Sequence, residues 1–141
     1  ALFDKTVYPW NASLLLSYGT HMERPVNMEY GKYVEPYHKR LGDRALGSLS
    51  FGYTQFLKEN DTVTYTASYS DLWEAEGKIN GEIDSTTGLR KKSVSGTIAY
   101  ATSEKDWILK GSWGHTVKQD GWGENFPATD TVTIGVSHVF Q

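Results

Sequence analysis

Residues 62–73 read TVTYTASYSDLW, and this stretch decides the fold class. Val63, Tyr65, Ala67, Tyr69 and Trp73 fall on one parity, and Thr62, Thr64, Thr66, Ser68 and Ser70 on the other. Successive side chains of an extended backbone point to opposite faces, so this alternation marks a β-strand and not a helix. One face is apolar and aromatic. The other carries small hydroxyls.

Five more stretches repeat the pattern. Trp10–Thr20 sets Trp10, Ala12, Leu14, Leu16 and Tyr18 on one face, with Leu15 the exception on the other. Arg44–Leu57 opposes Ala45, Leu49, Phe51 and Tyr53 to Ser48, Ser50, Gly52 and Thr54. Lys92–Thr102 opposes Val94, Ile98 and Tyr100 to Ser93, Ser95, Thr97 and Ala99. Asp106–Val117 opposes Trp107, Leu109 and Trp113 to Lys110, Ser112 and Gly114. Thr129–Gln141 opposes Val132, Ile134, Val136 and Phe140 to Thr131, Thr133, Gly135 and Ser137. Leu2–Tyr8 and Asn27–Tyr37 are weaker candidates. The connections alternate: KEND (58–61) and SEK (103–105) are short, whereas 21–43, 74–91 and 118–128 are long. In an antiparallel meander this puts tight turns at one end and long loops at the other.

Composition agrees with a β protein. The 141 residues include nine Tyr, five Trp and fourteen Gly. With no cysteine, disulfides and Cys-based metal sites are excluded. A net charge of −3 argues against nucleic acid as a partner. No apolar run reaches the roughly 20 residues of a membrane helix.

Two solvents could explain the two faces, and the polar face bears on which. A water-facing strand surface usually carries Lys, Glu, Arg or Asp, but here charge is pushed into the turns and loops, with Lys110 the clear exception. A wall between lipid and a narrow interior needs the reverse of a soluble barrel: apolar residues outside, small polar groups within. The segments run about 10–12 residues, against about 9–11 for a tilted membrane strand and 5–6 for an average soluble one. Aromatics near the strand ends (Trp10, Tyr18, Tyr53, Phe56, Trp73, Tyr100, Trp107, Trp113) suit the lipid–water interface. The expected fold is an all-β antiparallel up-and-down meander of about six to eight strands, forming a transmembrane β-barrel as a single domain over 1–141 or the C-terminal part of one. Its expected lumen-lining residues are Lys110, Ser112, Thr64, Thr66, Ser68, Ser95 and Thr133. Its expected lipid-facing residues are Leu14, Leu16, Leu49, Phe51, Val63, Tyr65, Ile98, Leu109, Ile134 and Val136.

With its short turns, long loops and final alternating strand, the chain resembles the C-terminal part of a Gram-negative outer-membrane β-barrel. Such barrels end on a strand read by the barrel assembly machinery. The matching positions are Val132, Ile134, Val136, His138 and Phe140, of which Val136, His138 and Phe140 would form the assembly signal. Two departures stand out: Gln141 follows the aromatic, and His138 replaces the usual aromatic or apolar residue. The segments RLGDRALGSLSFGYTQ and DGWGENFPATDTVTIGVSHVF are also similar in style to outer-membrane transporters linked to aromatic-compound degradation. The resemblance implies residence in the bacterial outer membrane, partnership with the lipid bilayer and the assembly machinery, and work as a porin-like channel, transporter component or structural membrane protein.

Six strong strands are fewer than the eight of the smallest bacterial barrels. Three solutions are open: the weaker candidates add a pair, a homo-oligomer or larger barrel partner shares the wall, or the chain is part of a longer one. The alternative class is a soluble β-barrel or sandwich binding a small apolar ligand on its Tyr/Trp face.

No chemistry is expected. His21, His38, His115 and His138 form no His-x-x-x-His pair, leaving a loose site of His21 and His38 near Glu23, Glu29 and Glu35 as the sole metal candidate. His115 has outward parity without a paired serine, so no enzyme activity is expected, and no cofactor. Lys110 either biases a pore towards anions or pairs with a carboxylate such as Asp71. Arg90–Lys92 sits at a loop–strand junction and could meet anionic lipid head groups.

Overall fold

The computed structural model describes residues 1–26, 37–57, 60–102, 106–121 and 129–138. These residues form eleven strands and no α-helix: β1 (Leu2–Val7), β2 (Trp10–Gly19), β3 (Arg24–Val26), β4 (Tyr37–Arg40), β5 (Arg44–Phe56), β6 (Thr62–Glu74), β7 (Gly77–Ile79), β8 (Glu82–Asp84), β9 (Leu89–Ala101), β10 (Trp107–Gly121) and β11 (Asp130–His138). All six strong candidates are strands, and Leu2–Val7 adds a seventh to the same sheet. Asn27–Tyr37 lies outside the described residues except for Tyr37, which opens β4.

The main sheet has the order β1-β2-β5-β6-β9-β10-β11, every neighbour antiparallel. β5, β6 and β9 each hold 13 residues and β10 holds 15, well beyond the soluble average. The strand ends flanking the short connections approach each other at one end of the sheet. Tyr8 and Pro9 link β1 to β2, the Leu57 N–H donates to the Asp61 carbonyl at 2.8 Å, and the Thr102 N–H donates to the Trp107 carbonyl at 3.2 Å. Val117 is an extra residue of β10 against β9; such a bulge bends and twists the strand.

The expected barrel is not closed. β1 and β11 are the ends of the sheet, and no pairing joins them among the described residues. Nor is there a second layer among the described residues. Strand contacts are essentially those of hydrogen-bonded neighbours, so the two sheets do not pack face to face. No hydrophobic residue among the described ones is buried. The accessible surface is 10672 Å². A compact monomer of 15.8 kDa would expose only about 7,300 Å².

The long connections are ordered where described, and they build a second sheet, β3-β4-β7-β8. β3 and β4 come from the first long loop, β7 and β8 from the next, and β4–β7 pairing joins the two. Asn80 and Gly81 turn β7 into β8 with φ of 52° and 84°. That conformation is the one an Asn-Gly hairpin turn requires.

Candidate functional site

Residues paired across a sheet lie on the same face, so the register sorts every side chain. One row runs Phe3–Leu14–Leu49–Tyr69–Val94–His115–Asp130. The next runs Lys5–Ala12–Phe51–Ala67–Gly96–Trp113–Val132, and then Val7–Trp10–Tyr53–Tyr65–Ile98–Gly111–Ile134. Nearer the tight turns comes Gln55–Val63–Tyr100–Leu109–Val136. Leu16 shares this face, opposite Gly47. All ten residues expected to face lipid therefore stand on one surface.

The opposite surface gathers the hydroxyls. Its rows are Asp4–Ser13–Ser50–Ser68–Ser95–Gly114–Thr131 and Thr6–Asn11–Gly52–Thr66–Thr97–Ser112–Thr133. Thr54–Thr64–Ala99–Lys110–Gly135 follows, with the Thr54 and Thr64 hydroxyls 3.1 Å apart. All seven residues expected to line a lumen stand on this face.

The apolar face is open to solvent. On the apolar face Ile134 is 79 % exposed, Trp10 61 % and Leu109 52 %. On the hydroxyl face Ser48, Ser50, Ser68, Ser70, Thr64 and Thr66 are half-buried, and Thr116 is only 6 % exposed. The half-buried hydroxyls lie on the central strands, whereas Ser95, Thr131, Thr133 and Ser137 on the same face are exposed.

Both ends of the apolar face are marked. Towards the tight turns, Trp10 meets Tyr53 (ring centroids 4.8 Å apart), Tyr8 meets Phe56 (5.5 Å) and Trp107 meets His138 (4.3 Å). Phe56 itself has hydroxyl-face parity, opposite Thr62. The Tyr100 hydroxyl donates to Asp61. Towards the long loops, charge begins. Asp71 accepts two hydrogen bonds from Arg90, at 3.2 and 2.9 Å, and Lys118 pairs with Asp120 at 3.0 Å. His115 and Trp113 both contact Asp130 Oδ1 at 3.0 Å. Trp10 and Tyr18 are eight residues apart on β2, about 27 Å along the strand. A tilt of roughly 40° projects this to about 20 Å, close to the apolar band of a barrel wall. Lys5 is the departure: it lies on the apolar face beside Ala12, three residues from the Tyr8–Pro9 turn.

The expected Lys110–Asp71 pairing is corrected. Asp71 has the parity of Tyr69 and Trp73 and lies on the opposite face, where Arg90 holds it. Lys110 is exposed on the hydroxyl face and makes no ion pair among the described residues. Around the His115–Asp130 pair the same-face neighbours include Tyr69, Val94, Trp113 and Val132, and no serine. His38 pairs with Glu23 at 3.4 Å, and His21 Nδ1 lies 2.8 Å from the Gly42 carbonyl. Glu29 and Glu35 lie outside the described residues, as does Phe140. No group of three metal-binding side chains is gathered among the described residues.

The loop sheet has its own joints, which sequence reasoning missed. Arg40 donates to the His21 carbonyl and to Asp43, both at 3.0 Å, while the Tyr18 hydroxyl donates to Asp43 at 3.2 Å. Partial burial pushes the Asp43 carboxyl up. The Arg40 guanidinium, the Tyr18 hydroxyl and the His21 N–H outweigh it and hold the carboxyl below the usual range. The Thr86 hydroxyl and N–H likewise depress Asp84, against a smaller opposing effect of burial and with help from the Lys39 charge. His38 and Asn80 bond reciprocally at 2.8 Å, and the Ala75 N–H donates to the Asp43 carbonyl at 2.9 Å. A Cβ on Gly42 would sit 1.6 Å from the Ala75 carbonyl oxygen, so only glycine allows this approach. The signal available in the sequence was the Asn80-Gly81 pair.

No protein family, curated protein or solved structure matches the chain.

Proposed function

We propose that the chain is a sector of the wall of a bacterial outer-membrane β-barrel. Lipid lies against the apolar face and a Ser/Thr/Gly-lined interior against the other. The tight turns are on the periplasmic side, the loop sheet on the extracellular side. The wall serves a porin-like channel, a transporter component or a structural membrane protein, and the loop sheet with Lys110 supplies its selectivity. The barrel assembly machinery reads the last strand through Val136, His138 and Phe140. No catalytic role belongs to this reading.

One observation carries it: the exposed apolar face of a single-layer sheet with no hydrophobic residue buried among the described ones. Water disfavours such a surface, and apolar patches on soluble monomers rarely exceed a few hundred Å². Hydrocarbon removes that penalty while the small hydroxyls keep their polar company inside.

Refolding by dilution from urea tests it, with and without dodecyl maltoside micelles. The reading expects sheet circular dichroism and blue-shifted tryptophan emission only with micelles. A folded monomer in plain buffer refutes it.

A further inference from the structure

The two edge strands of the main sheet, β1 and β11, have a direction. Every neighbouring pair is antiparallel, so strand direction alternates along β1-β2-β5-β6-β9-β10-β11. With seven strands, the first and last run the same way. Joining β11 to β1 within one chain would make a parallel seam. A second copy rotated about the barrel axis meets the same obstacle, because rotation about that axis leaves strand direction unchanged. β11 of one copy would again run parallel to β1 of the next.

An open edge is not a stable alternative in a membrane. Edge strands leave the backbone groups of alternate residues unpaired, and each unpaired group costs several kcal/mol in hydrocarbon. Bacterial single-chain barrels close with an even number of antiparallel strands. Seven strands reach an even total only by adding an odd number.

We infer that the wall is completed by an odd number of amphipathic strands, at least one, from polypeptide outside the described residues, and not by a second copy of the chain. This rests on the barrel-wall reading. The added strands run antiparallel to both β1 and β11. At the two edges their apolar faces continue Phe3 and Val7 on one side and Val132, Ile134 and Val136 on the other. Their hydroxyl faces continue Thr6 and Thr131, Thr133 and Ser137.

Chains of seven, eight and nine strands test the parity. The eight-strand chain carries a copy of Trp107–Gly121 ahead of Ala1 through an Asn-Gly turn, and the nine-strand chain carries a copy of residues 89–121. Each is refolded in dodecyl maltoside micelles. It is then run unboiled and boiled on SDS gels, and amide deuterium exchange is followed along β1 and β11. The expected result is a compact, heat-modifiable monomer for eight strands alone, its edge amides slowed about 100-fold. A compact multimer of the seven-strand chain with protected edges would overturn the inference. So would equal closure by eight and nine strands. If neither extension closes, exchange in the original chain decides: β1 and β11 exchanging about 100-fold faster than β5 and β6 supports open edges, and equal protection overturns them. Folding in plain buffer sinks the lipid-facing reading and leaves the edge-exchange comparison intact.

Discussion

Ile134→Arg tests the lipid-facing assignment at its most exposed point. Ile134 sits four residues from either end of β11, midway up the apolar face, opposite Gly111. At 79 % exposure it packs against almost nothing in the protein. In water, arginine at such a site changes stability by no more than about 0.5 kcal/mol. At a bilayer midplane the same substitution costs about 2–4 kcal/mol. The control is Thr133→Arg, one residue away on the hydroxyl face opposite Ser112, which the proposed wall turns away from lipid. Both variants keep the same free edges, so the cost of those edges cancels in the difference. The bilayer value converts to a roughly 30- to 900-fold larger loss of folded, vesicle-inserted chain for Ile134→Arg. Urea titrations in short-chain phosphatidylcholine vesicles, followed by tryptophan emission, measure it. If the two variants unfold within about 0.5 kcal/mol of each other, Ile134 does not face hydrocarbon and the inside-out assignment fails.

Three further outcomes are expected. Gly42→Ala should pry the two long loops apart, because the new Cβ collides with backbone rather than a yielding side chain. Loss of the Asp43–Ala75 bond and the β4–β7 pairing should cost about 2–3 kcal/mol locally, read as faster amide exchange at Ala75 and Asn80 with β5 and β6 unchanged. Acid should loosen the same joint. Asp43 titrates below its unfolded value, so its contribution is present above about pH 4 and is lost as pH falls through the folded value. Tryptic cleavage at Arg40, measured after a brief acid pulse, should therefore increase below pH 4, and Asp43→Asn should abolish the difference. Lys110→Gln should leave urea stability within about 0.5 kcal/mol, since no ion pair among the described residues is broken. In a conducting barrel it should lower anion-over-cation preference, measured as a shift in reversal potential across a salt gradient.

What could be read from sequence was whatever depends on period two. Tyr65 and Thr66 had to face apart, and the register sets them in rows with Ile98 and Thr97 respectively. The residues expected to face lipid and those expected to line a lumen fall on opposite faces of the sheet for that reason. Long-range facts were not legible. Asp71 and Lys110 looked like partners by charge, but parity sets them on opposite faces. β1 was weak by pattern because Asp4 and Lys5 interrupt its alternation, yet the Tyr8–Pro9 turn brings it beside β2. The loop sheet was missed because its strands hold only three or four residues, too few for any periodicity, and their stability comes from cross-loop bonds such as His38–Asn80.

The competing reading, a soluble module with an apolar ligand on its aromatic face, has to supply a cover for that face. A sandwich would supply a second sheet, but β3-β4-β7-β8 lies beyond the strand ends and does not pack face to face with the main sheet. A ligand is too small. The surface in excess of a compact monomer is about 3,400 Å², taken from 10672 Å² against about 7,300 Å². If only half of it is apolar, at about 25 cal/mol per Å² its exposure to water is worth about 40 kcal/mol. That is several times the 5–15 kcal/mol by which whole domains are stable, and a drug-sized ligand covers a few hundred Å² at most. A cover of the required extent is either another protein layer of similar size or a lipid phase. The two differ in what they ask of the opposite face. A protein layer leaves the hydroxyl face in bulk water, where Lys and Glu would serve as well as Ser and Thr. A closed wall confines that face in an interior too narrow for many unpaired charges, and there small hydroxyls are the groups that fit. The rows Ser13–Ser50–Ser68–Ser95 and Thr66–Thr97–Ser112–Thr133 have the composition that confinement selects.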